Sequence, residues 1–383
     1  MAVIIVSEPL ANSSASQCFQ WVLQIDDIGA GNITKKVGYQ LFDQDDNEIT
    51  IMEHRDAAYV GQKFELDFSS DVQGRVTTMI PYPDVPNAIP DPYCIRGFYL
   101  KYGELIYDSD NCGLAVNNAN IVSTAKYVIN GVIQEYEPDY YNTLPSVITH
   151  LPRNTVQCRD ARNFTWVLSD GAGLTVEYTS SLGTIQSLAI GSNKIAQIPL
   201  HPQELLSDWE TIEYMDVQIG VEMAPFRITF TDDCCNGGKY SNILYLDPLG
   251  GRSMISFEQV ESFELSTSFT ELCRYKPCNV VGFDEADNAN KMTVGGRSIY
   301  NKVAQERITL VKESSYEEDV AEQFKAFLAS TGYHVQYNDN GVIKFRKFIV
   351  DSGTVVYNSA EGIIELRVTG YLAHDYMTQR QDR

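Results

Sequence analysis

The chain has no apolar run near the roughly 18 residues that a helix needs to cross a bilayer. It also has no familiar signature of chemistry: its 383 residues contain no HExxH, GxSxG, P-loop or strand-linked GxGxxG. Histidine is scarce. His54, His150, His201, His334 and His374 are scattered, and none stands beside a patterned cysteine. Basic residues are few, with 29 Lys+Arg against 51 Asp+Glu, a formal charge of −22. That balance argues against wrapping nucleic acid, which needs phosphates neutralised, and against anionic membrane surfaces. An acidic wall can still guide DNA without holding it, because like charges prevent sticking. Solubility is the plainer reading. Met1–Pro9 has no basic n-region and too short an apolar stretch for a signal peptide. Cys18 follows Ala15-Ser16-Gln17, a poor lipoprotein processing site with no apolar run before it. The expectation is a protein kept in a cytoplasm or assembled there into something larger.

What is present is a repeat. Phe19-Gln20-Trp21-Val22-Leu23 precedes Gly29-Ala30-Gly31, and Phe164-Thr165-Trp166-Val167-Leu168 precedes Gly171-Ala172-Gly173. Gln17-Cys18 and Gln157-Cys158 stand just upstream, and two of only three tryptophans fall in these phrases. A tandem pair of related β domains is the natural reading. Trp21 and Trp166 are then expected as equivalent core anchors, both buried.

Strand signals fill the first 145 residues. Val37–Phe42, the polar turn Asp43–Glu48 and Ile49–Ile51 read as a hairpin, and Phe64–Phe68 alternates with period two. Residues 98–107 and 126–136 add β stretches. Five prolines in the twelve residues Pro81–Pro92 cannot join a central strand. They read equally as a rigid loop or as an arm docking on a neighbouring subunit. Residues 146–262 repeat the strand-rich style, with one helical turn expected at Pro202–Trp209. The last stretch changes character. A strand at 305–311 leads to Ser315-x-x-Glu318, a capping box, and to the helical stripe Val320, Phe324, Phe327 and Leu328. Gly332 is a natural stop, and strands at 333–337, 342–350 and 362–372 follow.

Candidate chemistry is thin. Cys234-Cys235 with Cys273 and Cys278 lacks the spacing of a zinc knuckle, so core thiols are expected instead. The eight cysteines at 18, 94, 112, 158, 234, 235, 273 and 278 read as free thiols rather than a disulfide framework. Asp43–Glu48 lacks the glycine and the final glutamate of a calcium loop and reads as a turn. Asp232-Asp233 carries no more. Gly237-Gly238, Gly250-Gly251 and Gly295-Gly296 read as turns. The 23 tyrosines, with clusters such as Asp139-Tyr140-Tyr141-Asn142, reflect β propensity with a share for interfaces. No catalytic, cofactor-binding or metal-ligating residue is assigned.

Leu244-Tyr245-Leu246-Asp247-Pro248-Leu249-Gly250-Gly251, running on to Phe257, resembles a phrase in structural proteins of phages and prophages of Bacteroidota. Asp247 stands where that phrase has Asn. Residues 305–372, with the "IVxDSG"-like turn Ile349–Gly353, are similar to the C-terminal segment of the same proteins. The resemblance covers residues 225–372. It implies a virion protein of the tail or neck, a ring component such as those of crAss-like phages, and carries no catalytic residues. Asp- and Glu-rich lumen faces would let DNA slide through.

The expected architecture is mainly β. It comprises a β-sandwich-like domain at 1–145, a related one at 146–262, and an α+β module at 263–383 with one helix at about 316–331. The expected function is non-enzymatic: a homo-oligomeric ring built head-to-tail around the DNA channel, contacting other tail, neck or portal proteins. DNA passes without specific binding, no membrane or cofactor takes part, and the location is the virion, assembled in the host cytoplasm. The competing readings are a carbohydrate-binding β-sandwich protein, and a β-sandwich glycosidase or esterase with unlocated carboxylates.

Overall fold

The computed structural model describes residues 2–27, 35–81, 88–108, 113–132, 140–171, 173–191, 194–203, 205–221, 223–232, 242–273, 297–339 and 342–372. The fold is mainly β, in several sheets, with two α-helices and one 3-10 turn among the described residues.

The first part contains β1 (Ala2–Ser7), β2 (Asn12–Ser14), β3 (Gln20–Asp27), β4 (Lys35–Asp43), β5 (Glu53–Ala57), β6 (Lys63–Asp67) and the short helix α1 (Ser69–Gln73). It continues with β7 (Ile89–Pro90), β8 (Ile95–Asp108), β9 (Gly113–Val122) and β10 (Lys126–Ile129). One sheet runs β1-β3-β6; the other runs β2-β10-β8-β4-β5, with β9 added to β8. They face each other across Val3, Trp21, Leu23, Ile25 and Leu66 from one side and Val37, Leu41, Phe98, Leu100 and Val128 from the other. Alternation in β3 dictates this: Trp21, Leu23 and Ile25 point inward while Val22 and Gln24 stay half-exposed. The hairpin turn after β4 is present, but the return strand begins at Glu53 rather than Ile49. Two consecutive amides, those of Ile49 and Thr50, both reach the Leu41 carbonyl, and that irregularity delays regular pairing.

The next strands are β11 (Ser146–Val147), β12 (Asn154–Cys158), β13 (Phe164–Leu168), β14 (Leu174–Ser180), β15 (Ile185–Gly191), β16 (Ile195–Pro199), β17 (Tyr214–Ile219) and β18 (Phe226–Thr231). They form the sheets β11-β13-β16-β7 and β12-β18-β17-β14-β15. Val167, Ala196 and Ile198 from the first meet Val176, Tyr178, Met215, Val217 and Ile228 from the second. The proline-rich segment supplies β7. Ile89 and Pro90 pair with Gln197 and Ala196 at the sheet edge, where the missing proline N–H costs nothing. Its described end therefore docks on the chain's own second sandwich. At Pro202–Trp209 the described residues make the one helical turn expected: the Leu205 and Leu206 amides share the Pro202 carbonyl, the second closing an i to i+4 bond.

The third sheet holds β19 (Asn242–Leu246), β20 (Arg252–Ser256), β21 (Gln259–Cys273), β22 (Arg297–Ser315), β23 (Tyr333–Asp339), β24 (Val342–Asn358) and β25 (Ile363–Leu372). Its order is β20-β19-β23-β24-β25-β22-β21. β19 and β20 precede the expected boundary at 262, yet β19 pairs with β23 and so belongs to this sheet. Helix α2 (Glu318–Ala329) buries Val320, Phe324 and Phe327 on the sheet against Tyr245, Phe257, Phe348 and Leu366, with Leu328 alongside. The expected capping box is absent. Glu317 is the N-cap and makes no side-chain cap bond, because Ser315 is still paired in β22 with Ile363. Ile349–Gly353 is not a turn. It runs inside β24, with a register shift between Val350 and Ser352, and Asp351 accepts from Arg307 at 2.5 Å.

Candidate functional site

Residues 244–257, which carry the family resemblance, form β19, a tight turn and β20. The Asp247 carboxylate organises the turn. Its Oδ1 accepts the Leu249 amide at 2.9 Å, its Oδ2 accepts the His150 amide at 2.8 Å, and Oδ1 lies 2.8 Å from His150 Nδ1. Asp247 is wholly buried, so each of these donors replaces a lost water. The turn then grips both sandwiches. Val132 N–H donates to the Pro248 carbonyl, Tyr141 Oη to the Leu249 carbonyl at 2.6 Å, and Gly251 N–H to the Ile148 carbonyl. Thr78 Oγ1 donates to the Gly250 carbonyl. Gly250 has φ +105°, and a Cβ there would overlap the Asn130 carbonyl oxygen. Gly251 is also confined, though less tightly, with the Ile148 carbonyl oxygen and the Thr149 methyl each 2.6 Å from the site of a Cβ. The glycine pair is thus required by the close approach of three chain segments.

A second buried carboxylate lies alongside. Asp91 Oδ2 accepts Trp166 Nε1–H at 2.8 Å and the Met79 amide at 3.1 Å, while Oδ1 accepts the Cys94 and Tyr93 amides. Arg252 on β20 is buried nearby and donates Nη2 to the Thr78 carbonyl. Burial pushes its guanidinium pKa down, and the Asp91 and Cys94 fields oppose that. Around these groups, Cys94, Ile95 and Ile129 of the first sandwich pack on Tyr141, Ile148, Phe164, Trp166, Leu168 and Ile195, with Leu249 of the turn.

Both repeat tryptophans are buried, as expected, but they are not equivalent. Trp21 faces the core of its own sandwich, against Phe19 and Phe68. Trp166 faces the seam between the sandwiches, and its neighbour Val167 enters the second core. β13 is buried on both faces, so its inward parity is free to shift by one residue, and one residue reverses a strand's faces. Asp91, which fixes the Trp166 indole, had no signal in the sequence beyond its place among prolines.

The remaining candidates are dispersed. His54 is exposed on β5, and His201 is fully buried with Arg162 Nη1 3.3 Å from its Nδ1. Burial and the Arg162 charge push the His201 pKa down to about 3, and burial pushes His334 to about 4. Tyr140 and Tyr141 donate to the Val147 and Leu249 carbonyls as internal ties. Asp43 spends its carboxylate on the Asp45 and Asn47 amides, the Asn47 side chain and Arg96, as a turn does. Asp232 pairs with Arg159 at 2.7 Å. Cys94 is a buried free thiol and Cys18 an exposed one. Cys158 departs from the expectation: it is disulfide-bonded. Gly29–Gly31, Cys112, Cys234, Cys235, Cys278, Asp233, Gly237-Gly238, Gly295-Gly296 and His374 lie outside the described residues. No cluster of three or more metal-ligating side chains occurs among the described residues. A cavity of about 410 Å³ opens where Arg159, Arg162, Trp209 and Asp232 meet Asn338 and Ile343.

No family model matches the chain, and no curated protein matches it. Among solved structures, the virion of a native gene transfer agent particle aligns at 13% identity and TM-score 0.21, over 35% of this chain and 92% of that one. The tail of an empty gene transfer agent particle aligns at 14% identity and TM-score 0.22, over 36% and 94%. The calcium binding domain CBD12 of CALX1.1 aligns at 11% identity and TM-score 0.17, over 59% and 81%. A likeness at these scores fixes neither fold nor function.

Proposed function

We propose that the chain is a non-enzymatic structural protein of a phage virion, a tail or neck ring component that assembles head-to-tail around the DNA channel. The observation that carries this reading is the Asp247–Gly251 turn. The phrase on which the family resemblance rests is the buried tie that locks the third sheet to both sandwiches. A part that must transmit load between neighbours gains from such a joint, whereas a hinged enzyme or a flexible tether does not. Head-to-tail contacts close into a ring where the rotation permits. The partners are further copies and other tail, neck or portal proteins. The excess of Asp and Glu over Lys and Arg suits a lumen through which DNA passes without sticking. The location is the virion, reached after assembly in the host cytoplasm. Mass spectrometry of purified particles, with gold labelling of the tail, tests this. Absence of the chain from mature particles would sink it.

The glycan-binding alternative has one feature in its favour, the cavity beside Trp209, since a half-buried indole and paired Arg–carboxylate groups suit a sugar face. Binding on a glycan array, lost in Trp209→Ala, would favour it.

A further inference from the structure

Between the second sandwich and the third sheet lies the cavity of about 410 Å³. That is within the range of small-molecule sites, roughly 300–1,000 Å³, and such sites favour the joints between structural units. Three separate segments of the sandwich supply one wall. The turn after β12 brings Arg159 and Arg162, the Pro202–Trp209 turn brings Gln203 and Trp209, and the residue just past β18 is Asp232. The β23–β24 hairpin faces them with Asn338.

Several of these groups are held in place before any ligand arrives. Arg159 Nε donates to Asp232 Oδ1 at 2.7 Å, and its Nη1 donates to the Trp209 and Ile212 carbonyls at 3.1 and 2.8 Å. Gln203 Nε2 holds the same residue by its backbone, donating to the Arg159 carbonyl. The guanidinium thereby fixes the Asp232 carboxylate, which is still 74% exposed and keeps lone pairs for a further donor. Trp209 is only half-buried, whereas Trp21 and Trp166 are fully buried. It is thus the tryptophan with an indole surface open to a ligand.

We propose that this cavity binds a neutral sugar ring, packed on Trp209 and hydrogen-bonded by Asp232. Asp160 and Asp232 offset Arg159 and Arg162 in the lining, so neither an anion nor a cation meets an uncompensated opposite charge there. The chain's charge of −22 further disfavours a phosphate-bearing ligand. A sugar hydroxyl both donates and accepts, which suits a wall that sets guanidinium N–H groups beside carboxylate oxygens. The C–H face of the ring suits the apolar body of an indole. This inference rests on the glycan reading above, names its site and the charge class of its ligand, and holds whether or not the chain forms rings.

The test uses the full chain on an array of bacterial polysaccharides and animal-type glycans, each set holding neutral and acidic members. The parent, Trp209→Ala and Asp232→Asn are compared, and circular dichroism checks that each folds. Asp232→Asn keeps the shape of an exposed side chain, so it reads the site even if Trp209→Ala is unstable. The parent is expected to bind neutral glycans, and both variants to bind them at least about tenfold more weakly. Which set is bound tells a bacterial source from an animal one. A soluble neutral glycan from the array should compete, and uridine monophosphate should not. If the variants bind glycans as the parent does, this cavity is overturned as the site while the glycan reading stands. If the parent binds no glycan, both fall. Binding of acidic glycans alone, or competition by uridine monophosphate, overturns the neutral-sugar assignment.

Discussion

Asp247 and His150 stand 97 residues apart and meet through two contacts, a 2.8 Å bond from the His150 amide and a 2.8 Å approach of its Nδ1. The first belongs to the tie between the turn and the second sandwich, so its loss should loosen the whole chain rather than one loop. Asp247→Ala removes the acceptor for two buried amides and is expected to cost about 3 kcal/mol or more. Urea unfolding followed by fluorescence and by far-ultraviolet dichroism measures this. If the two probes separate in Asp247→Ala but coincide in the parent, the seam has been uncoupled.

Gly250→Ala should be worse. The residue has φ +105° and a Cβ there meets the Asn130 carbonyl oxygen, so backbone strain and overlap act together. Little soluble protein is expected. Gly173→Ala, at φ +85° with open space around it, is the control and should cost only about 1 kcal/mol.

The two repeat tryptophans should respond differently. Trp21→Phe loses packing alone, since Trp21 Nε1 has no hydrogen-bond partner among the described residues. Trp166→Phe also removes a donor from the buried Asp91 carboxylate. Trp166→Phe is therefore expected to be the more destabilising by about 1–3 kcal/mol. Equal melting points for the two variants would show that the indole–Asp91 bond contributes nothing.

Acid should weaken the fold before ordinary carboxylates titrate. The His201 pKa is held at about 3 when folded, against about 6.5 in an unfolded chain. Its stabilising share is full above about pH 6.5. Below that the unfolded state binds a proton that the folded state refuses, so stability falls with pH, by up to about 1.4 kcal/mol per unit down to about pH 3. His334, held at about 4 and only partly buried, adds in the same direction. Melts at pH 7, 6 and 5 measure the slope, and His201→Gln should flatten it.

Much of the fold is legible where one force dominates. Alternation places β3, and the stripe Val320, Phe324, Phe327 places α2, because a single buried face writes a clear period. Legibility fails where two faces are buried. Phe164–Leu168 looks like Phe19–Leu23, yet burial on both sides removes the parity that tells which way Trp166 points. It fails again where a local signal competes with pairing. Ser315-x-x-Glu318 has the letters of a capping box, but the β22–β25 ladder holds Ser315 in a strand. Ile349–Gly353 has turn residues, and β24 absorbs them as a register shift. The seam was legible only in part: Gly250-Gly251 announced a turn, but Asp91 and Cys94 reach it through tertiary contact.

Negative-stain electron microscopy of the purified full chain, paired with mass from light scattering, tests the central claim most directly. Closed rings or stacked discs of one defined copy number, with an open centre, are predicted. A homogeneous monomer across the accessible concentration range would contradict the account.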